Sequence, residues 1–216
     1  MQGEWPIVFT DHSVRDILAN LKSQTRRVIK SPNGAVPVDF YDGMFWFRDG
    51  SAYRIDCVYK KGDFVWVREA WARVEPYPEI NDSYSMPYPD SIAGDKTLLA
   101  FWKQRIIYRA DHPNKTPDEC GCGSGDNRWR SPFHLPRWAS RITIKITDVR
   151  FERLHEISTE DCIAEGMRTN LREQEAVDDL CDQYQKVWND INLKRGLGWD
   201  KNPLVWVVSF RMVQPW

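Results

Sequence analysis

Net charge is nearly absent from this chain. Its 30 Lys and Arg stand against 31 Asp and Glu, leaving −1 over 216 residues with histidine neutral. That excludes a coat protein or basic tail for nucleic acid, so any contact with a polyanion has to come from a local patch. Long apolar runs are missing too. The longest, LVWVVSF at 204–210, is far too short to span a bilayer, and no membrane partner is expected. The opening MQGEWPIVFT has no basic stretch leading into an apolar core, so no signal peptide is expected. Cysteine is sparse: five residues, an odd number at irregular spacing. This argues against a disulfide framework and for free thiols in a reducing cytoplasm. There is no internal repeat and no low-complexity tract.

What is present is an ordinary globular composition, 42% hydrophobic and 28% charged, long enough to bury a core without disulfides. Tryptophan is the exception. Eleven of them imply a stiff core, a binding surface, or both.

Val14, Ile17, Leu18 and Leu21 recur at helical spacing, predicting a helix from about His12 to Lys22 capped by Asp11. Residues 31–61 alternate short apolar runs with Asn-Gly and Asp-Gly pairs, which predicts hairpins. GDFVWVREAW at 62–71, RIIYRAD at 105–111 and RITIKITDVRFERL at 141–154 read as strands; residues 72–104 read as a loop excursion and 112–131 as an irregular insertion. Ser158 with Asp161 resembles a capping box, opening a helix that ends at Gly166. A longer helix covers about 171–193, and LVWVVSFRMV at 204–213 closes the chain as a strand. Cys162 and Cys181 fall in helical patterns as small core residues. This order predicts an α+β class: a curled or closed antiparallel β-barrel with helices packed on it.

Positive charge concentrates in NLKSQTRRVIK at 20–30, where Lys22, Arg26, Arg27 and Lys30 surround Thr25 with nothing acidic beside them. Three segments taken together, ILANLKSQTRRVI, GDFVWVREAW and ITDVRFERLHEISTEDCIAEGM with the terminal VWVVSF strand, resemble the ASCH family of the PUA-like barrel superfamily. With FHLPRWASRI at 133–142, the pattern is similar to long ASCH-like proteins often found in bacteriophage and prophage genomes. The resemblance implies a single PUA-like domain with insertions at about 31–61 and 72–135. It also implies an amidohydrolase acting on N4-acetylcytidine or a related modified nucleobase. By position, the catalytic set of that branch falls on Lys22, Thr25 and Glu165. Other members are proposed RNA binders or nucleases, so the fold alone does not settle the chemistry.

Amide hydrolysis needs a nucleophile, a base and a proton for the leaving amine. Thr25 could be the nucleophile with Lys22 as its base; alternatively Lys22 activates water and Thr25 orients the substrate. Glu165, expected in the last turn of its helix, meets the negative end of the helix dipole, which suits a group that holds or passes a proton. Each has a structural alternative: Lys22 as a cation at a helix C-terminus, Thr25 as a strand-opening β-branched residue, Glu165 as a solvated helix end. Arg26 and Arg27 are candidates for phosphate or base edges, or solvated surface charge. Trp138 could stack on a base with Arg137 near phosphate and His134 beside them; alternatively Trp138 anchors the barrel and His134 caps a loop. The expected partner is a modified nucleoside or nucleic acid. No cofactor is required, although Cys120, Cys122, His112 and His134 could hold a structural zinc, with Cys57 a further possible ligand. Cys-x-Cys is not the usual knuckle spacing.

Overall fold

The computed structural model describes residues 5–73, 100, 103, 105–120 and 128–213. Its elements, in order, are β1 (Trp5–Val8), α1 (Asp11–Leu18), β2 (Gln24–Val28), β3 (Asp39–Tyr41), β4 (Met44–Trp46) and β5 (Ala52–Tyr53). Then follow β6 (Phe64–Arg68), β7 (Trp71–Arg73), β8 (Ile106–Tyr108), β9 (Thr143–Arg153), α2 (Thr159–Ala164), α3 (Glu173–Asn192) and β10 (Leu204–Met212), with short 3-10 turns between them. The class is α+β. No sheet among the described residues closes into a barrel. Most of the segment read as a loop excursion, 72–104, lies outside the described residues.

The chain separates into two compact units. The first is built from residues 16–64 and 144–213, the second from the described residues within 5–15 and 65–143. In the first unit β10 pairs antiparallel with both β2 and β9. One face of this sheet packs Val205 and Val207 against Leu154, Cys162, Met167, Leu180, Tyr184 and Trp188 from α2, α3 and their flanks. Cys181 joins the same cluster, and burial together with this neighbouring thiol pushes the Cys162 thiol up to about 12. The other face gathers Ile29, Phe45, Phe47 and Leu204, with Phe40 and Trp206 beside them. That second layer comes from the small meander β3–β4–β5. Its first turn is the expected Asp-Gly pair: Asp42 and Gly43 sit at φ 52° and 73°, the doubly left-handed geometry of a two-residue hairpin.

A β-bulge decides which side chains of β9 face which layer. Ser209 pairs with Asp148 and Phe210 with Ile146, so Thr147 is skipped. Straight alternation from Ile142, Ile144 and Ile146 would put Asp148, Arg150 and Glu152 on the isoleucine face. The extra residue exchanges the faces. Phe151 then meets Trp206, at 5.8 Å between ring centroids, while Arg150 and Glu152 turn toward the α2 and α3 side.

In the second unit β1 runs parallel to β6, from Trp5 opposite Val65 to Val8 opposite Arg68, and β7 and β8 form an antiparallel pair. Val65 and Val67 are fully buried, and Ser140 Oγ donates to Val67 O at 2.8 Å. Trp71, Ile106, Leu135 and Ala139 make a local core, with Tyr108 and Trp138 packed against it.

Candidate functional site: a buried Lys22–Glu165 pair

Two helix ends build the site in the first unit. Helix α1 stops at Leu18, a turn short of the expected Lys22. Asn20 takes φ 56°, Asn20 N–H donates to Ile17 O and Leu21 N–H to Asp16 O. This is a Schellman cap with asparagine at the left-handed position. Leu21 is therefore outside the helix and 41% exposed, and Lys22 leaves the α1 axis. The expected Asp11 cap is also displaced: Asp11 is the first helical residue, and Thr10 Oγ1 accepts from Ser13 N–H.

Helix α2 ends the same way. Gly166 N–H donates to Ile163 O, Met167 N–H to Cys162 O, and Gly166 sits at φ 108°. Glu165 is the cap residue. The two caps meet: Ser23 N–H donates to Ala164 O at 2.8 Å, and Lys22 Nζ donates to Glu165 O at 2.6 Å. Lys22 is thus a cation at a helix C-terminus, but the helix is α2. Its ammonium also contacts Glu165 Oε2 at 2.5 Å, with side-chain exposures of 6% and 5%.

Arg26 completes the arrangement. Its side chain is fully buried, and Nη1 donates to Glu165 Oε1 at 3.3 Å and to Gln24 Oε1 at 2.6 Å. Nη2 reaches Glu152 Oε1 and Asp161 Oδ2, both at 2.7 Å. Arg150 closes the ring on Glu152 and Asp161, at 3.1 and 2.6 Å. Three cations therefore face three carboxylates. Burial alone would lower the Arg26 guanidinium, but Tyr184, Glu165 and Glu152 outweigh it and hold it above its ordinary value. Burial raises Asp161, but Gln24, Arg26 and Arg150 together hold it below its ordinary value. Ser158 Oγ accepts from Asp161 N–H as expected of a cap. The Asp161 carboxylate does not reach back to complete a capping box, because the two arginines and Gln24 take it.

Thr25 is buried but lies on the other face of β2. It pairs with Val208, whereas Gln24 and Arg26 pair with Ser209 and Val207 on the helix side. No hydrogen bond joins its hydroxyl to Lys22 or Glu165 among the described residues. Arg27 follows Thr25 onto that face, where burial pushes its guanidinium down and Tyr59 draws it back up. Neither Arg26 nor Arg27 is solvated surface charge. Sequence reasoning found Lys22, Arg26 and Glu165 but missed Gln24, Arg150 and Glu152. The last two carried no signal because a bulge, which alternation cannot reveal, moves them from the isoleucine face to the side of α2 and α3.

The remaining candidates belong to the second unit. His134 is exposed at the end of a 3-10 turn. Trp138 packs on the local core beside Arg137. Cys122 lies outside the described residues, and among those described no three His, Cys, Asp or Glu are grouped to hold a metal ion. No described helix is long and apolar enough to cross a membrane.

No family model matches the chain, and no curated protein matches it. Among solved structures it is similar to the crystal structure of protein EF3133 from Enterococcus faecalis V583, of the family DUF984. The identity is 11%, over 100% of this chain and 85% of that one, with a TM-score of 0.41.

Proposed function

We propose that the first unit carries an ASCH-type, PUA-like hydrolase site that cleaves the amide of an N4-acylated cytosine nucleoside, with Lys22 and Glu165 as its acid–base pair. The observation that supports this is the 2.5 Å contact between two nearly buried ionisable side chains. A substrate that excludes water favours passage of the proton from Nζ to Oε2, leaving an amine base and a carboxylic acid side by side. The amine takes a proton from water as its oxygen adds to the acyl carbon. The carbon–nitrogen bond then breaks, and Glu165 protonates the departing N4. Lysine is again an ammonium and glutamate a carboxylate, with a carboxylic acid and the free nucleoside released. Water, not Thr25, is the nucleophile in this scheme, because Thr25 faces away from the pair.

Incubation of the protein with a panel of N4-acylcytidines, followed by chromatography, is expected to give cytidine. Lys22→Met and Glu165→Gln should lower the rate at least a hundredfold, the size of general acid–base terms. Thr25→Val should stay within about threefold, a barrier change under 1 kcal/mol. No product across the panel, or full activity in Lys22→Met, overturns the proposal. A second reading rests on the charge balance around fully buried Arg26: a network that only fastens α2 to β2. It predicts an inert panel together with a strong loss of stability when either partner is removed.

A further inference from the structure

We propose that Arg68 and Trp66, in the second unit, form a binding site for a phosphate group. Three other described arginines of limited exposure have carboxylate partners: Arg26 has Glu152, Asp161 and Glu165, Arg141 has Glu69 and Asp111, and Arg150 has Glu152 and Asp161. Arg68 is half-buried, and its guanidinium lies 4.6 Å from the Trp66 ring centroid. Its Nε–H is buried with no acceptor, and no carboxylate pairs with it among the described residues. A guanidinium held over an aromatic face keeps its planar fork of donors, which matches the oxygens of an oxyanion.

The surroundings have the same sign. Arg137 Cζ lies 5.9 Å from the centroid of the same Trp66 ring, so two guanidiniums lie against one indole. Trp138, next in the chain, has a buried indole N–H without a partner, and so does the hydroxyl of Thr143, one residue beyond the Ile142 carbonyl that accepts from Val67 N–H. These unmatched groups are a guanidinium N–H, an indole N–H and a hydroxyl, and each can donate. A buried donor left unmatched costs on the order of 1–3 kcal/mol. An acceptor-only anion at the Arg68 guanidinium relieves that cost there and offsets the two like charges beside Trp66. Phosphate fits better than carboxylate because it offers three or four acceptor oxygens with more charge to a guanidinium fork.

The test is an NMR titration of the Trp indole N–H signals of the full chain, at constant ionic strength, with inorganic phosphate, cytidine 5′-monophosphate and cytidine. Saturable shifts with both phosphate-bearing probes are expected. They should weaken about tenfold or more in Arg68→Met and less in Arg68→Lys, which keeps the charge but loses the fork. Circular dichroism and the melting temperature establish that each variant is folded, and Arg137→Met serves as the second variant should Arg68→Met unfold. Equal or tighter binding of the monophosphate relative to phosphate supports the site. Shifts no larger than chloride produces, cytidine binding as tightly as its monophosphate, or unchanged affinity in the folded variants overturn it.

Discussion

Removing Glu165 would leave Lys22 and Arg26 facing a position that no anion fills. Both are nearly or fully buried, so neither can turn to water without moving the chain around it. The expected cost of Glu165→Ala is about 3–5 kcal/mol, the penalty for breaking a buried pair from one side. Lys22→Met should cost less. Its methylenes are replaced in kind, and Arg26 Nη1 stays 3.3 Å from Glu165 Oε1 to neutralise the carboxylate. Urea denaturation of the two variants measures the difference, and Lys22→Met as costly as Glu165→Ala would contradict the role given to Arg26. The hydrolase scheme and the stability argument thus share one residue pair but use different readouts. Activity reports the proton transfer, and the unfolding midpoint reports the charge balance.

At the scale of elements, the site is made by two Schellman caps, and Gly166 is the tightest point in them. Its φ of 108° disfavours any side chain, and a Cβ would lie 2.9 Å from Asp16 Oδ2 on α1. Gly166→Ala is expected to cost about 1–3 kcal/mol, the range of strain for a residue held in a sparsely populated backbone region. It should also raise amide exchange at Ser23 and Met167, whose N–H groups both donate to carbonyls at the end of α2. A melting temperature within one degree of the parent would contradict the packing described. Much of this was legible in sequence. Gly166 as a helix stop, the Ser158 cap, the Asp42-Gly43 hairpin and the β9 and β10 strands follow from local chemistry that tertiary contacts reinforce. Asn20 was the legible signal for the end of α1, but the apolar spacing that continues through Leu21 masked it. The reach of Lys22 to α2 was not legible, since the two are 143 positions apart in the chain. The placement of Arg150 and Glu152 on the α2 side was hidden for a different reason: one bulged residue reverses every later side chain in the strand, and Thr147 carries no mark of it.

At the scale of the whole molecule, each unit holds an arginine–carboxylate network, and a carboxylate in each shifts in the opposite direction. In the first unit Asp161, facing Gln24, Arg26 and Arg150, lies below its ordinary value of 3.8. Its contribution to stability is present above that value and is lost as pH falls toward the depressed folded value. In the second unit Glu69 is fully buried against Arg141, which donates to both of its oxygens at 2.9 Å. Burial raises Glu69 above its ordinary value of 4.5, Arg141 only partly draws it back, and Asp111 and Asp11 push the same way as burial. Glu69 therefore takes up a proton more readily in the folded chain than in the unfolded one. Its contribution to stability improves as pH falls from neutrality through the raised value and levels off below 4.5. Hydrogen exchange with mass spectrometry at pH 7, 5 and 3, corrected for intrinsic rates, should show the order. Peptides from β2 and α2 should hold their protection from pH 7 to 5 and lose it toward pH 3. Peptides from β6 and β7 should gain protection relative to β2 over the same range. In Asp161→Asn the acid-dependent loss in β2 should shrink, because the group whose protonation drives it is gone. If β6 loses protection before β2, the charge assignments in both networks are wrong, since the two carboxylates shift in opposite directions only while Arg26 and Arg150 hold Asp161 ionised and burial outweighs Arg141 at Glu69.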